Sequence, residues 1–175
     1  MSEDMHAKLI ALLDEASARY RVIRHEPEGR TDLVSELRGN QLGQAAKCIV
    51  VRVKQSTKIS RYVLAVVPGD RRLDQDAVRH LVEGTYCSFV QPGIAERLTG
   101  CASGTIVPFS FDPELRLVVD PIMLSHEEMF FNAAALDRSI ALRTEDYVTV
   151  AKPEMLTIVA DDDPSTVPHV RPSRG

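Results

Sequence analysis

Leu9, Leu12, Leu13 and Ala16 recur at helical spacing with polar residues between them, so residues 4–18 predict an amphipathic first helix. A strand over Tyr20–His25 follows, then a loop holding Pro27 and Gly29. Thr31 reads as the cap of a short helix that buries Leu33, Val34 and Leu37 and stops at Gly39. Two β-prone runs, 46–54 and 60–67, flank the polar segment Gln55-Ser56-Thr57-Lys58 and predict an antiparallel hairpin. Asp74 caps a helix carrying Ala77, Val78, Leu81 and Val82, which Gly84 ends. Ser88–Val90 is a short strand, and Pro92 opens another short helix with Ile94 and Leu98 inward. Further strands are read over Arg116–Asp120, Met129–Asn132 and Ser139–Leu142; Ser125-x-x-Glu128 has capping-box spacing, and Thr144 begins a last helical turn. Mixed elements with short connections predict a mixed α/β (α+β) fold: one domain over 1–159, built on one curved, mostly antiparallel sheet flanked by helices. The polar, proline-rich stretch 160–175 has no period and predicts a disordered tail.

Composition narrows the class. The 175 residues are 44% hydrophobic and 26% charged, which describes one soluble globular domain. No apolar stretch approaches the roughly 20 residues that span a bilayer, and the N-terminus is acidic and polar, so a cytoplasmic protein with no membrane partner is expected. Cys48, Cys87 and Cys101 are dispersed and the histidines show no ligand spacing, so neither a disulfide framework nor a metal site is indicated. Neither a Walker loop nor a Rossmann fingerprint is present, and no cofactor is expected. The net charge of −4 argues against a protein that coats nucleic acid by bulk electrostatics, and no DNA partner is expected. Yet residues 45–69 hold no acid while carrying Lys47, Arg52, Lys54, Lys58 and Arg61, a cluster that suits either a polyanion or a solvated hairpin.

Three places carry candidate chemistry. Lys47 shares a strand face with Ile49, Val51 and Val53, where a cation must meet an anion, line a cleft or snorkel to water. In Thr99–Phe111, Gly100 and Gly104 permit tight turns and offer unshielded N–H groups to an oxyanion, and Pro108 stiffens the exit; a plain turn explains the same residues. Ser103 lies off the register of a Gly-x-Ser-x-Gly elbow, and Cys101 has no histidine near it in sequence. His25 ends its strand beside a loop, facing either a cleft or solvent.

Taken together, His25-Glu26-Pro27 with Thr31, Ala45-Ala46-Lys47, Thr99-Gly100 with Gly104-x-x-x-Pro108-Phe109, and Val119-Asp120-Pro121 with Phe131-Asn132 resemble the YbaK and prolyl-tRNA-synthetase-associated domain family. The resemblance covers about residues 20–152 and is nearest to the free-standing YeaK type. It implies a trans-editing deacylase that hydrolyses the ester between a wrong, small amino acid (serine, threonine or alanine) and the 3′ end of a tRNA, with an aminoacyl-tRNA synthetase as a further partner. It carries the family lysine onto Lys47 and the loop glycine and proline onto Gly104 and Pro108. Lys47 and Gly104 are then the catalytic candidates. Lys47 would hold the 3′ end and favour developing negative charge, and the Gly104 N–H would bind the carbonyl oxygen. His25, Thr31, Thr99, Gly100, Ser103, Pro108 and Asn132 are the substrate-binding candidates, with Thr31, Ser103 and Asn132 able to read a hydroxyl. A non-catalytic tRNA- or synthetase-binding module is the alternative. One departure concerns the pocket: where many relatives have glycine near the pocket wall, this chain reads Asn132-Ala133-Ala134-Ala135, and the added methyl at Ala134 is expected either to narrow the pocket or to stiffen it.

Overall fold

Alternation along one strand decides the architecture. In the computed structural model, which describes residues 2–161, β2 (Ala46–Lys54) sends Ala46, Cys48 and Val50 to one face and Ile49, Val51 and Val53 to the other. Both faces are covered, so two hydrophobic clusters form on opposite sides of one sheet.

That sheet has five strands in the order β4-β2-β3-β5-β8, where β3 is Ser60–Pro68, β4 Tyr86–Phe89, β5 Leu115–Val119 and β8 Glu154–Met155. A second sheet, β1-β7-β6, joins Tyr20–Arg24, Arg138–Arg143 and Glu128–Asn132 in antiparallel pairs. The fold is mixed α+β and mostly antiparallel, and its strands divide between two sheets that, among the described residues, meet at one bridge, Ala45 to Phe130.

Between the sheets lies the larger cluster, where α1 (Ser2–Glu15) contributes Leu9 and Leu13, β6 Phe131, and α5 (Thr144–Ala151) Tyr147. The smaller cluster is capped by Val78 of α3 (Gln75–Leu81) and by Ile158. Each fully buried Leu, Val or Phe contributes on the order of 1.5–3 kcal/mol. No helix among the described residues is long and apolar enough to cross a membrane.

Local departures from the sequence reading have physical causes. The short helix α2 (Thr31–Arg38) is capped by Arg30, with Thr31 as its first helical residue, and it buries Val34 and Ser35 while Leu33 and Leu37 stay 37% and 48% exposed. Ser125 starts no turn; it closes the one before it, its N–H and its hydroxyl both donating to Ile122 O. Asp120 instead accepts the Ile122 N–H and starts a 3₁₀ turn at Pro121, and its other oxygen takes the Ile158 and Val159 N–H groups. One buried carboxylate thus staples the C-terminal segment to β5. The expected tail falls outside the described residues from 162 onward, whereas the Ala160 N–H is held by the Arg72 carbonyl.

At the other end of the domain, Arg19 grips Asp146 of α5 through its backbone N–H at 2.8 Å and through Nε and Nη2 at 2.9 Å. These bonds pull the Asp146 carboxyl down to about 2. A carboxylate held below its unfolded value stabilises the fold above that value and loses the contribution as pH falls. Stability is therefore expected to drop between about pH 4 and pH 2, and Asp146→Asn to flatten that part of a Tm-against-pH profile.

Candidate active site

A cleft of about 150 Å³ opens where the start of β2 meets the first turns of α2, the end of β6 and the loop after α4 (Pro92–Thr99). Thr31, Val34, Arg38, Lys47, Cys48, Gly104, Phe131 and Asn132 line it.

The loop is fixed at both ends. At its start Gly100 closes α4 in the left-handed region (φ 73°), its N–H on Glu96 O at 2.8 Å, while Thr99 Oγ donates to Ala95 O and accepts the Cys101 N–H. At its exit the buried Tyr147 hydroxyl donates to Pro108 O at 2.7 Å, and Phe109 packs edge-on against Tyr147 and Phe131. Between these anchors Gly104 sits at φ 84°, so close to Gly29 that a Cβ on Gly104 would lie 3.0 Å from Gly29 Cα. Two glycines packed backbone to backbone let the loop close over the cleft.

Asn132 sets the orientation of this loop. Its Nδ2 donates to Gly104 O and Glu28 O, both at 2.9 Å, and its Oδ1 accepts from the Ser139 hydroxyl at 3.0 Å. Ser139 also lies 2.7 Å from His25 Nε2 and receives Arg38 Nη1 at 3.1 Å. With its carbonyl turned to Asn132, Gly104 has an N–H that meets no partner among the described residues.

Two cations face the cleft. Lys47 is half-buried, its Nζ donating to Arg71 O at 2.6 Å; burial pushes its pKa down, and Asp70 opposes that shift. Arg38 makes three hydrogen bonds, to the Asn40, Ser139 and Ser35 side-chain oxygens, and forms no ion pair with a carboxylate among the described residues. Burial lowers it to about 10. A guanidinium has five N–H donors, so two remain for a ligand.

Of the residues singled out from sequence, Lys47, Gly104, Thr31 and Asn132 come together in the cleft. His25 stands behind it, linked through Ser139. Thr99, Gly100 and Pro108 shape the loop without lining the cleft, and Ser103 lines a neighbouring cavity. Cys101 is fully buried with its pKa raised by burial, and no histidine bonds to it or to Ser103 among the described residues. Ala134 lies in the core with φ 60°, its methyl away from the cleft, so the expected narrowing does not arise there. Arg52 and Arg61 occupy the opposite end of the β2–β3 hairpin from Lys47. Sequence reasoning missed Arg38. Its one signal was position, four residues after Val34 on the buried stripe of α2.

Known proteins resemble this chain in sequence and in fold. The aminoacyl-tRNA editing domain matches residues 25–150. The chain is 41% identical over 152 residues to the multifunctional Ser/Thr-tRNA deacylase ProXp-y of Escherichia coli K12, covering 86% of this chain and 90% of that protein, and matches its counterpart from Escherichia coli O157:H7 equally. Among solved structures it is similar to the hypothetical protein APE2540 (TM-score 0.78, 18% identity, 87% of this chain and 99% of that one). It is also similar to a proposed trans-editing enzyme for prolyl tRNA synthetase (TM-score 0.73, 18% identity, 89% and 97%). At that identity these two speak for the fold alone. The sequence match carries the assignment: this chain belongs to the aminoacyl-tRNA editing domain family.

Proposed function

We propose that the chain is a trans-editing deacylase that hydrolyses tRNA mischarged with a small amino acid. The observation that carries this reading is the cleft itself: a Gly104 N–H without a partner among the described residues and two half-buried or buried cations, Lys47 and Arg38, surround a space of about 150 Å³. The relative at 41% identity is named for serine and threonine, and a cleft of this size suits the same substrates.

An aminoacyl ester is already activated, so positioning and electrostatics suffice without a covalent nucleophile. Water adds to the acyl carbon, and the oxygen that becomes negative meets the Gly104 N–H and the Lys47 ammonium. Collapse breaks the bond to the ribose oxygen, which takes up the proton, and releases the free amino acid. Arg38, with two unused donors, holds the phosphate or ribose of the 3′ end. Both N–H groups of the Asn132 amide are taken and its Oδ1 already accepts one hydrogen bond, so Thr31, whose hydroxyl makes no hydrogen bond among the described residues, is the freer cleft residue to read a substrate hydroxyl.

A panel of tRNAs carrying serine, threonine, alanine and leucine, incubated with and without the charging synthetase, tests this. Hydrolysis of one or more small species, with leucine spared, is the expected result. Binding of the small species without turnover establishes a binding module instead, and equal hydrolysis of leucine refutes the size argument. A rate that rises with the synthetase present identifies it as a partner.

A further inference from the structure

The open edge of β2 gives the neighbouring cavity a purpose. Val50 O accepts the Val90 N–H at 3.3 Å and Lys54 O the Thr85 N–H at 2.7 Å, whereas Ala45 O accepts the Gly69 N–H on the β3 side. Even-numbered residues of β2 therefore turn their backbone groups away from β3. On that side β4 pairs only with Val51–Lys54, and Phe130 bridges only Ala45. The N–H and C=O of Cys48 emerge in the gap between them, on the edge away from β3, where no strand among the described residues pairs with Cys48.

A cavity of about 220 Å³ lies against this gap, with Val50, Phe89, Pro92 and Ala95 as apolar walls. It shares Cys48 and Ile106 with the catalytic cleft, so the two chambers adjoin. Phe89 stands at its rim with 59% of its surface exposed, an aromatic face without cover.

We infer that this cavity receives the terminal adenine base of the tRNA, with the Cys48 backbone reading its hydrogen-bonding edge and Phe89 stacking on its face. The inference rests on the deacylase reading for its substrate. Adenine offers an amino donor beside a ring-nitrogen acceptor, the complement of one strand residue's C=O and N–H. Unstacked bases are commonly held by an aromatic face plus polar contacts at the base edge. The ribose carries the ester and the base on different atoms, so an acyl chamber and a base chamber sharing a wall match one aminoacyl-adenosine. Hypoxanthine, with an acceptor oxygen and a ring N–H, reverses the donor and acceptor order, and its tether to ribose prevents it from turning over to compensate.

Two measurements on the full chain decide the matter. In the first, hydrolysis of Ser-tRNA ending in adenosine is compared with the same tRNA ending in inosine. We expect KM to rise about tenfold with kcat little changed, and Ala95→Phe, which fills the cavity, to raise KM for the adenosine end similarly while Tm holds. In the second, adenosine and inosine monophosphates are titrated into ¹⁵N-labelled protein. Adenosine monophosphate is expected to shift the Cys48 and Ile106 amides at lower concentration than inosine monophosphate does. Hydrolysis indifferent to the terminal base, or no shift at Cys48, overturns the base site. Shifts at Cys48 without turnover of any charged tRNA support the base site and reject the deacylase.

Discussion

Gly104→Ala is expected to slow deacylation by about 10²- to 10³-fold, the range for losing one backbone donor to an oxyanion. The substitution acts twice. Gly104 occupies φ 84°, where an L side chain costs about 1–2 kcal/mol, and the new Cβ would press on Gly29 Cα at 3.0 Å. The loop must back away, and the N–H moves with it. Gly29→Ala separates these effects. Its Cβ would lie 3.3 Å from Gly104 Cα without altering the Gly104 dihedral, so a smaller loss in the same direction is expected. Steady-state rates for both variants, read beside their melting temperatures, check the order. Full activity in Gly104→Ala would remove this N–H from the mechanism.

Lys47→Met is expected to lower kcat about a hundredfold while leaving Tm unchanged or higher. Burial depresses the Lys47 pKa, so the unfolded chain binds the proton more readily than the folded one and the charged lysine weighs against folding at neutral pH. Methionine keeps the apolar stem and removes that cost. A structural lysine would behave in the opposite way, with Tm falling and activity retained.

The contrast between the two cations shows what the sequence makes legible. Lys47 stood out because a cation interrupts an apolar β-run, and period two assigns its face without tertiary information. Gly104 stood out because only glycine tolerates what that loop requires. Arg38 hid in an ordinary helix end, where a basic residue is the default for the dipole, and its burial depends on β6 and β7, about a hundred residues away.

Helices and strands followed from periodicity for the same local reason. The division into two sheets did not, because it depends on where the pairing of β2 changes from Phe130 to β4. Asp120 is the instructive case among the caps. Asp120-Pro121 already carries a helix-start pattern, but a carboxylate that also gathers Ile158 and Val159 can be recognised only from the folded chain. Ala134 misled because a residue beside a site in sequence points into the core in space.

The most direct measurement is single-turnover hydrolysis of Ser-tRNA and Thr-tRNA with protein in excess, followed by the release of free amino acid and by mass analysis of the protein. The account predicts ester loss well above the spontaneous rate, intact tRNA, and a protein mass unchanged at every time point, because water attacks directly. Ester loss no faster than the spontaneous rate, or an acyl group accumulating on Ser103 or Cys101, would contradict it.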